Sequence, residues 1–134
     1  MSVKGVYGLS ALMELGLHYN KGTMQIRNIA ARHNIPQHYL EQILVILKKA
    51  GYVVSFRGAQ GGYALARDPD TIRVSEVLSR LEGRLQVVPD DKQDGVLGFF
   101  WDELERGLRS ALNRTLGDLL RSKADRDQQI NYTI

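Results

Sequence analysis

Three glycines and two arginines lie close together in the segment SFRGAQGGYALAR, residues 55–67. Closely spaced glycines can cradle a phosphate, because their backbone N–H groups converge on an anion. A phosphate loop also needs a lysine and a hydroxyl residue after its glycines, and RGAQGGY has neither. A dinucleotide fingerprint needs its glycines to open a helix, whereas GYALAR has the pattern of a strand. The segment is therefore predicted to be a β-hairpin whose glycines supply positive φ angles.

A hairpin of this composition can also carry an arginine into a groove of DNA. Arg57 stands at the base of the predicted turn and Gln60 at its tip. A glycine-rich tip is slim enough for a minor groove about 6 Å wide, and narrow minor grooves attract arginine. The loop alone favours a purely structural turn, so its function depends on the elements that precede it.

Other residue types that perform chemistry are absent or scattered. The chain has no cysteine, which excludes disulfides, thiol nucleophiles and thiolate-ligated clusters and is typical of a cytoplasmic protein. Its three histidines, His18, His33 and His38, are too scattered to predict a metal site. Neither of the two acidic pairs, Asp90 with Asp91 and Glu103 with Glu105, has a nucleophile or a histidine beside it. We therefore expect that the protein is not an enzyme and that it binds no metal and no cofactor.

Basic residues are concentrated in the first part of the chain. The 134 residues carry a net charge of +3. Residues 1–83 contain ten Lys or Arg and six Asp or Glu, a balance of +4, and residues 84–134 contain eight and nine, a balance of −1. A polyanion, if one binds, is expected on the N-terminal part. No apolar run approaches the roughly 20 residues that span a bilayer and no signal-peptide layout is present, so no membrane partner is expected.

Apolar periodicity predicts three helices before the hairpin. The first covers residues 7–20, a short second lies within MQIRNIAARHN, and the third covers residues 37–50 behind Pro36, which suits the first position of a helix. The β-like segments YVVSFR and GYALAR follow, and VSEVLSRLEG is a short fourth helix closed by Gly83. This order predicts a winged helix-turn-helix domain over residues 1–83, a mainly α fold with a small β-hairpin wing.

The remaining residues are predicted to form a linker at 84–95, a dimerisation helix region at 96–122 and a poorly ordered polar tail at 123–134. The segment TLGDLL either continues the long helix or restarts one with Thr115 as its N-cap. The long helix has an apolar stripe without a partner of its own length in this chain, so we expect a homodimer. The residues of this apolar stripe are Leu97, Phe100, Trp101, Leu104, Leu108, Ala111 and Leu112.

The third predicted helix keeps one polar face after its apolar side is set aside. Glutamine can bond adenine, glutamate can accept from cytosine, and a valine methyl can contact thymine in the major groove. Most such faces are only solvated, but the second helix of a helix-turn-helix is the one that enters the groove. The residues of this face are His38, Glu41, Gln42, Val45 and Lys49.

Four segments of the chain resemble the Rrf-type bacterial winged helix-turn-helix regulators, the family that includes IscR, NsrR and CymR. They are KGVYGLSALMELG, IAARHNIPQHYLEQIL, LKKAGYVVSFRGAQGGYALAR and SEVLSRLEG. The resemblance implies a homodimeric transcription regulator, usually a repressor, that binds a partly palindromic operator in double-stranded DNA. It implies a recognition helix over residues 36–49 in the major groove and a wing over residues 56–63 in the minor groove.

The same resemblance implies roles for single residues. Arg57 matches the wing arginine that enters the minor groove. The positions that face bases are matched by His38, Glu41 and Gln42. Positions near the phosphate backbone are matched by Lys4 and Tyr7. Phosphate contacts are expected from Lys4, Arg27, Lys48 and Lys49.

The sequence departs from part of this family at the linker. Members with an iron–sulfur cluster carry three cysteines there, some with a nearby histidine, whereas RLQVVPDDKQDGVLG has neither. The likeness is therefore closer to the cluster-free CymR branch, in which a protein partner or a small-molecule effector can exert control. The main alternative is a winged-helix module that binds another protein and no DNA.

Overall fold

The computed structural model describes the backbone of residues 1–133 and the side chains of residues 1–130. Within them, six α-helices and one antiparallel hairpin follow one another along the chain. The elements are α1 Val3–Leu17, α2 Ile26–His33, α3 Gln37–Lys49, β1 Val53–Phe56, β2 Gly62–Leu65, α4 Val74–Glu82, α5 Gly98–Leu112 and α6 Leu116–Thr133. The predicted fold class, mainly α with a β-hairpin wing, is confirmed. None of the described helices is long and apolar enough to cross a membrane.

The core lies where α1, α2, α3 and the hairpin meet. In α3 the apolar residues recur at steps of three and four, so the helix buries one face and leaves the other in solvent. Within the described residues, the side chains that are almost completely buried include Leu12, Leu15, Ile29, Leu40, Ile43, Leu44, Leu47 and Val53.

A tight connection holds α2 and α3 in a helix-turn-helix. Asn34 ends α2 in the left-handed region, with φ 55°, and its N–H donates to the carbonyl of Ala30. Ile35 is buried beneath the turn, and Pro36 is the N-cap of α3. α3 begins at Gln37, as its apolar pattern predicts, whereas Pro36, expected at the first helical position, lies just before the helix because its ψ of 127° is extended.

The hairpin pairs Val53 with Leu65 and Phe56 with Gly62 at its two ends. Its turn closes through a 2.9 Å hydrogen bond from the Gly61 N–H to the Gly58 carbonyl. Gly58 has φ +94°, which favours glycine, and a Cβ at Gly61 would collide with the Phe56 carbonyl oxygen. The predicted role of the glycines as turn residues is therefore confirmed.

The first helix begins earlier than its apolar pattern predicts, at Val3 rather than residue 7, and it ends at Leu17 rather than residue 20. The carboxylate of Glu82, at the end of α4, accepts 2.8 Å hydrogen bonds from the Gly5 N–H and the Ser2 hydroxyl. These bonds satisfy free donors in the first turn of α1. A Cβ at Gly8 would collide with Leu81, so small residues on α1 permit the close approach of α4.

The C-terminal region contains two helices, so the alternative in which a helix restarts after Thr115 is confirmed. Thr115 Oγ1 accepts from the Asp118 N–H at 3.1 Å, and Asp118 Oδ2 accepts from the Thr115 N–H at 2.9 Å. This reciprocal cap starts α6. Residues 123–133, which the sequence marks as a polar tail, continue α6 to Thr133. Ile134 lies outside the described residues.

Candidate nucleic-acid interface

The exposed face of α3 carries all five residues of the polar face that the sequence predicts on this helix. The opposite face is buried against the domain core, which fixes the rotation of the helix about its axis. Val45 is 52% exposed although it is apolar. The exposed residues are His38, Glu41, Gln42, Val45 and Lys49. This arrangement presents donors, acceptors and one methyl-bearing side chain on a single ridge.

A side-chain hydrogen bond joins the last turn of α3 to the hairpin. Lys48 Nζ donates to Ser55 Oγ at 2.6 Å. An ammonium group has three donors, so this bond leaves two of them for an anion. The phosphate contact of Lys48 therefore stays a prediction. The bond to Ser55 gives the same side chain a second role, which is to position the hairpin relative to α3.

The hairpin tip is tied to the segment that leads into α2. Met24 and Tyr63 exchange backbone hydrogen bonds of 2.9 and 2.8 Å, which adds a third short strand-like edge to the hairpin. Thr23 Oγ1 also donates to the Gln60 carbonyl at 3.0 Å. Gln60 and Arg57 are both exposed at this tip. Within the described residues, the Arg57 guanidinium has no ion pair and no hydrogen bond, so it is available to a ligand.

A polar cleft of about 400 Å³ separates the hairpin tip from the start of α2. Arg27, a predicted phosphate contact, lies in its wall and is exposed. The other polar residues of this cleft could not be grouped from the sequence, because they become neighbours only through the pairing of Met24 with Tyr63. They are His18, Thr23, Gln25, Asn28 and Arg32.

A buried carboxylate joins α1 to the helix-turn-helix. Glu14 is only 7% exposed, and its two oxygens lie 3.1 Å from Arg32 Nη1 and 3.1 Å from His33 Nε2. His18 Nδ1 lies 3.0 Å from the Glu14 carbonyl oxygen. Arg32 and His33, in the last turn of α2, therefore point towards this carboxylate. The contact of Glu14 with Arg32 and His33 cannot be predicted from apolar periodicity, because Glu14 occupies a position on the core side of α1.

The two α1 residues predicted near phosphates are half-buried. The rings of Tyr7 and Tyr39 meet edge to face, with centroids 5.7 Å apart and an interplanar angle of 81°. Tyr7 therefore has a packing role beside α3, and its phosphate contact stays a prediction. Lys4 shares the first turn of α1 with the bound carboxylate of Glu82. The Ser2 hydroxyl and the Gly5 N–H hold the pKa of Glu82 below its ordinary value.

The apolar stripe on α5 has little cover within the chain. None of the α5 residues is fully buried, and Phe100 and Leu104 are each 39% exposed. Leu97 and Ala111 are exposed as well, while the other members, Trp101, Leu108 and Leu112, are half-buried. The Phe100 and Trp101 rings lie against each other with centroids 5.3 Å apart. An unpaired apolar face of this length is the surface that the predicted dimer would use.

The donor set does not fit an iron–sulfur cluster. The whole sequence lacks cysteine, and the residues that the structure describes contain no group of three His, Asp or Glu able to hold a metal. In the linker, Arg84 and Asp90 form an ion pair at 2.9 Å, so one carboxylate there already has a cation partner. Thiolates are the ligands that hold such clusters in proteins.

Comparison with known proteins shows the same architecture in bacterial regulators. A model of the family described as Rrf2, iron-dependent transcriptional regulator, matches residues 1–122. The transcriptional regulator CymR of Bacillus subtilis is 33% identical over 130 residues, which cover 96% of this chain and 94% of CymR. The solved structure of CymR, the global cysteine regulator of B. subtilis, aligns with a TM-score of 0.82, 34% identity and coverage of 91% and 96%. IscR from T. potens aligns with a TM-score of 0.77, 37% identity and coverage of 92% and 87%.

Proposed function

The chain belongs to the Rrf2 family of transcriptional regulators, and from that premise we propose a homodimeric repressor that binds a partly palindromic operator. Members of this family regulate transcription by binding DNA and are not enzymes. In each subunit α3 would enter the major groove while the hairpin reaches the adjacent minor groove. We place this activity in the cytoplasm, where bacterial DNA lies.

The observation that carries the proposal is the direct linkage between the two surfaces that would contact DNA. The Lys48–Ser55 hydrogen bond joins α3 to β1, and the Met24–Tyr63 pairing joins β2 to the start of α2. These bonds restrain the hairpin that carries Arg57 relative to the exposed face of α3. A preorganised reader avoids part of the ordering cost of binding.

Within that proposal the residues have different tasks. The exposed α3 residues His38, Glu41, Gln42 and Val45 would face base edges, where hydrogen bonds and methyl contacts carry sequence information. Arg57 and Gln60 would occupy the minor groove. Phosphate contacts would supply affinity without specificity and make it dependent on salt. We assign these to Lys4, Tyr7, Arg27, Lys48 and Lys49.

The dimer would be held by the α5 stripe. Two copies that pair along α5 would bury Leu97, Leu104 and their neighbours, which are otherwise in water. A two-fold dimer of helix-turn-helix units places its recognition helices about 34–36 Å apart, one turn of DNA. The operator would therefore have two related half-sites at that spacing.

Control of this regulator would not use an iron–sulfur cluster. The family description names iron dependence, but this chain has no cysteine to hold a cluster. We propose instead that a protein partner or a small-molecule effector sets the occupancy of the operator.

The experiment is to incubate the purified full chain with fragmented genomic DNA and to sequence the bound fraction. We expect enrichment of a few sites that share a partly palindromic motif, and binding that survives excess random DNA. Sedimentation in the absence of DNA should give twice the mass of one chain. Failure to enrich any DNA would favour the alternative, a winged-helix module that binds another protein.

A further inference from the structure

A groove of about 650 Å³ lies between the start of α4 and the last turn of α5. It is remote in sequence from α3 and from the hairpin, and no step of DNA binding proposed above uses it. Its volume falls in the range of about 300–1,000 Å³ that is typical of small-molecule sites. It is lined by Arg73, Ser75, Arg109, Ser110, Leu112 and Asn113.

The groove contains two guanidinium groups and no carboxylate. Arg73 Nη2 donates to the neutral Asn113 Oδ1 at 2.8 Å, and this bond holds the guanidinium at the groove. Among the residues whose side chains are described, neither Arg73 nor Arg109 takes part in an ion pair. Two like charges thus line one groove without compensation.

Both guanidinium groups lie at the C-terminal end of α5. Arg109 is in the last turn of this helix, and the Arg73 guanidinium bonds to Asn113, its C-cap residue. The helix dipole favours positive charge at this end, which helps to keep the two cations together at the groove.

We propose that this groove binds a small oxyanion with at least two carboxylate or phosphate groups. Guanidinium groups bind planar oxyanions in a bidentate manner, and the hydroxyls of Ser75 and Ser110 add neutral donors. The groove therefore has the charge and the donors to hold one such anion across two elements.

A ligand at this position would link the DNA-binding unit to the dimerisation helix. α4 packs on α1, with Leu81 against Gly8, whereas α5 carries the apolar stripe. Fixing α4 relative to α5 would fix the distance between the two recognition helices, on which operator binding depends. This regulatory consequence rests on the proposed function, whereas binding of the anion does not.

The test is calorimetric titration of the DNA-free full chain, with citrate in one arm and inorganic phosphate in the other, at constant ionic strength. Arg109→Gln should weaken binding of the effective anion about tenfold or more, the equivalent of one charge-assisted hydrogen bond. Arg106→Gln is the matched control, because Arg106 is exposed on the same helix but does not line the groove. Stronger binding of citrate than of phosphate would indicate a carboxylate ligand, and the reverse a phosphorylated one.

Absence of binding in both arms, or equal losses in the two variants, would overturn the proposal. So would a result in which Arg109→Gln shifts the monomer–dimer equilibrium and leaves anion binding unchanged, since Arg109 would then pair with an acid of the partner. Genomic DNA enrichment by the same variant, without added anion, separates the two proposals. If Arg109→Gln still enriches the DNA sites but loses the anion binding that the parent chain shows, both proposals are supported. If the DNA sites are enriched but the parent chain binds neither anion, only the groove proposal is overturned.

Discussion

Lys48 Nζ lies 2.6 Å from Ser55 Oγ, so the last turn of α3 is bonded to β1. Both side chains are at or near the surface, and the bond adds little to global stability. Its consequence is geometric. In the proposed complex α3 enters the major groove and the hairpin the minor groove, so the two must keep one relative orientation, and this bond restrains it.

Replacement of the wing arginine should weaken operator binding. Arg57→Ala removes a guanidinium that has no partner within the described residues, so the fold has little reason to change. We expect the plot of log affinity against log salt concentration to flatten by about 1 if a single phosphate-like contact is lost. Arg106→Ala, on α5, is the control of equal charge. An unchanged isotherm for Arg57→Ala would remove the wing from the mechanism.

Replacement of Gln42 should reduce specificity more than affinity for random DNA. Gln42→Ala should cost about 1–3 kcal/mol on the operator, because a bidentate base contact is lost, and little on random DNA. Competition binding with both DNAs measures the difference. Gln86→Ala, in the exposed linker, provides a control that should leave both affinities unchanged. Equal losses on both DNAs for Gln42→Ala would show that this residue does not read bases.

A charge in the α5 stripe should dissociate the dimer. Leu104→Glu replaces, in both subunits, a leucine whose burial is worth about 1.5–3 kcal/mol. Sedimentation at micromolar concentration should then detect monomers, and operator affinity should fall with the loss of the paired half-sites. Arg106→Glu introduces the same side chain off the stripe and should remain dimeric. A dimeric Leu104→Glu variant would mean that another surface joins the subunits.

The Glu82 cap should make stability dependent on pH. Its pKa in the folded chain is lowered, chiefly by the Ser2 hydroxyl and also by the Gly5 N–H. A lowered pKa contributes stability above the ordinary glutamate pKa, and this contribution is lost as the pH falls through the folded-state pKa. Glu82→Gln should therefore be less stable than the parent chain at neutral pH, with a difference that shrinks in acid.

Urea unfolding at neutral pH and at about pH 3 measures this dependence. Glu103→Gln is the matched control, since Glu103 is exposed on α5 and forms no ion pair among the described side chains. A Glu82→Gln difference that stays constant between the two pH values would show that the carboxylate charge is not what stabilises α1.

Local patterns in the sequence were sufficient for the parts of the fold that depend on neighbouring residues. The apolar spacing of Leu40, Ile43, Leu44 and Leu47 predicts both the presence of α3 and its buried face, since the helical repeat alone relates these positions. The glycines of the hairpin turn are equally local, because Gly58 needs only its own positive φ. For the same reason the exposed ridge of α3 was predictable residue by residue.

Tertiary structure decided what joins these elements, because the partners are distant in sequence. Gly5 and Glu82 are 77 residues apart, so no local pattern predicts that this carboxylate bonds to the first turn of α1. The end of α5 is likewise set by backbone bonds from Leu116 to Ile72 and from Val74 to Arg114. The sequence by itself thus determined which side chains are available to a nucleic acid. Only the folded chain decided how the helix, the hairpin and the groove at α4 are held relative to one another, since hydrogen bonds between remote residues require the packed core that brings them together.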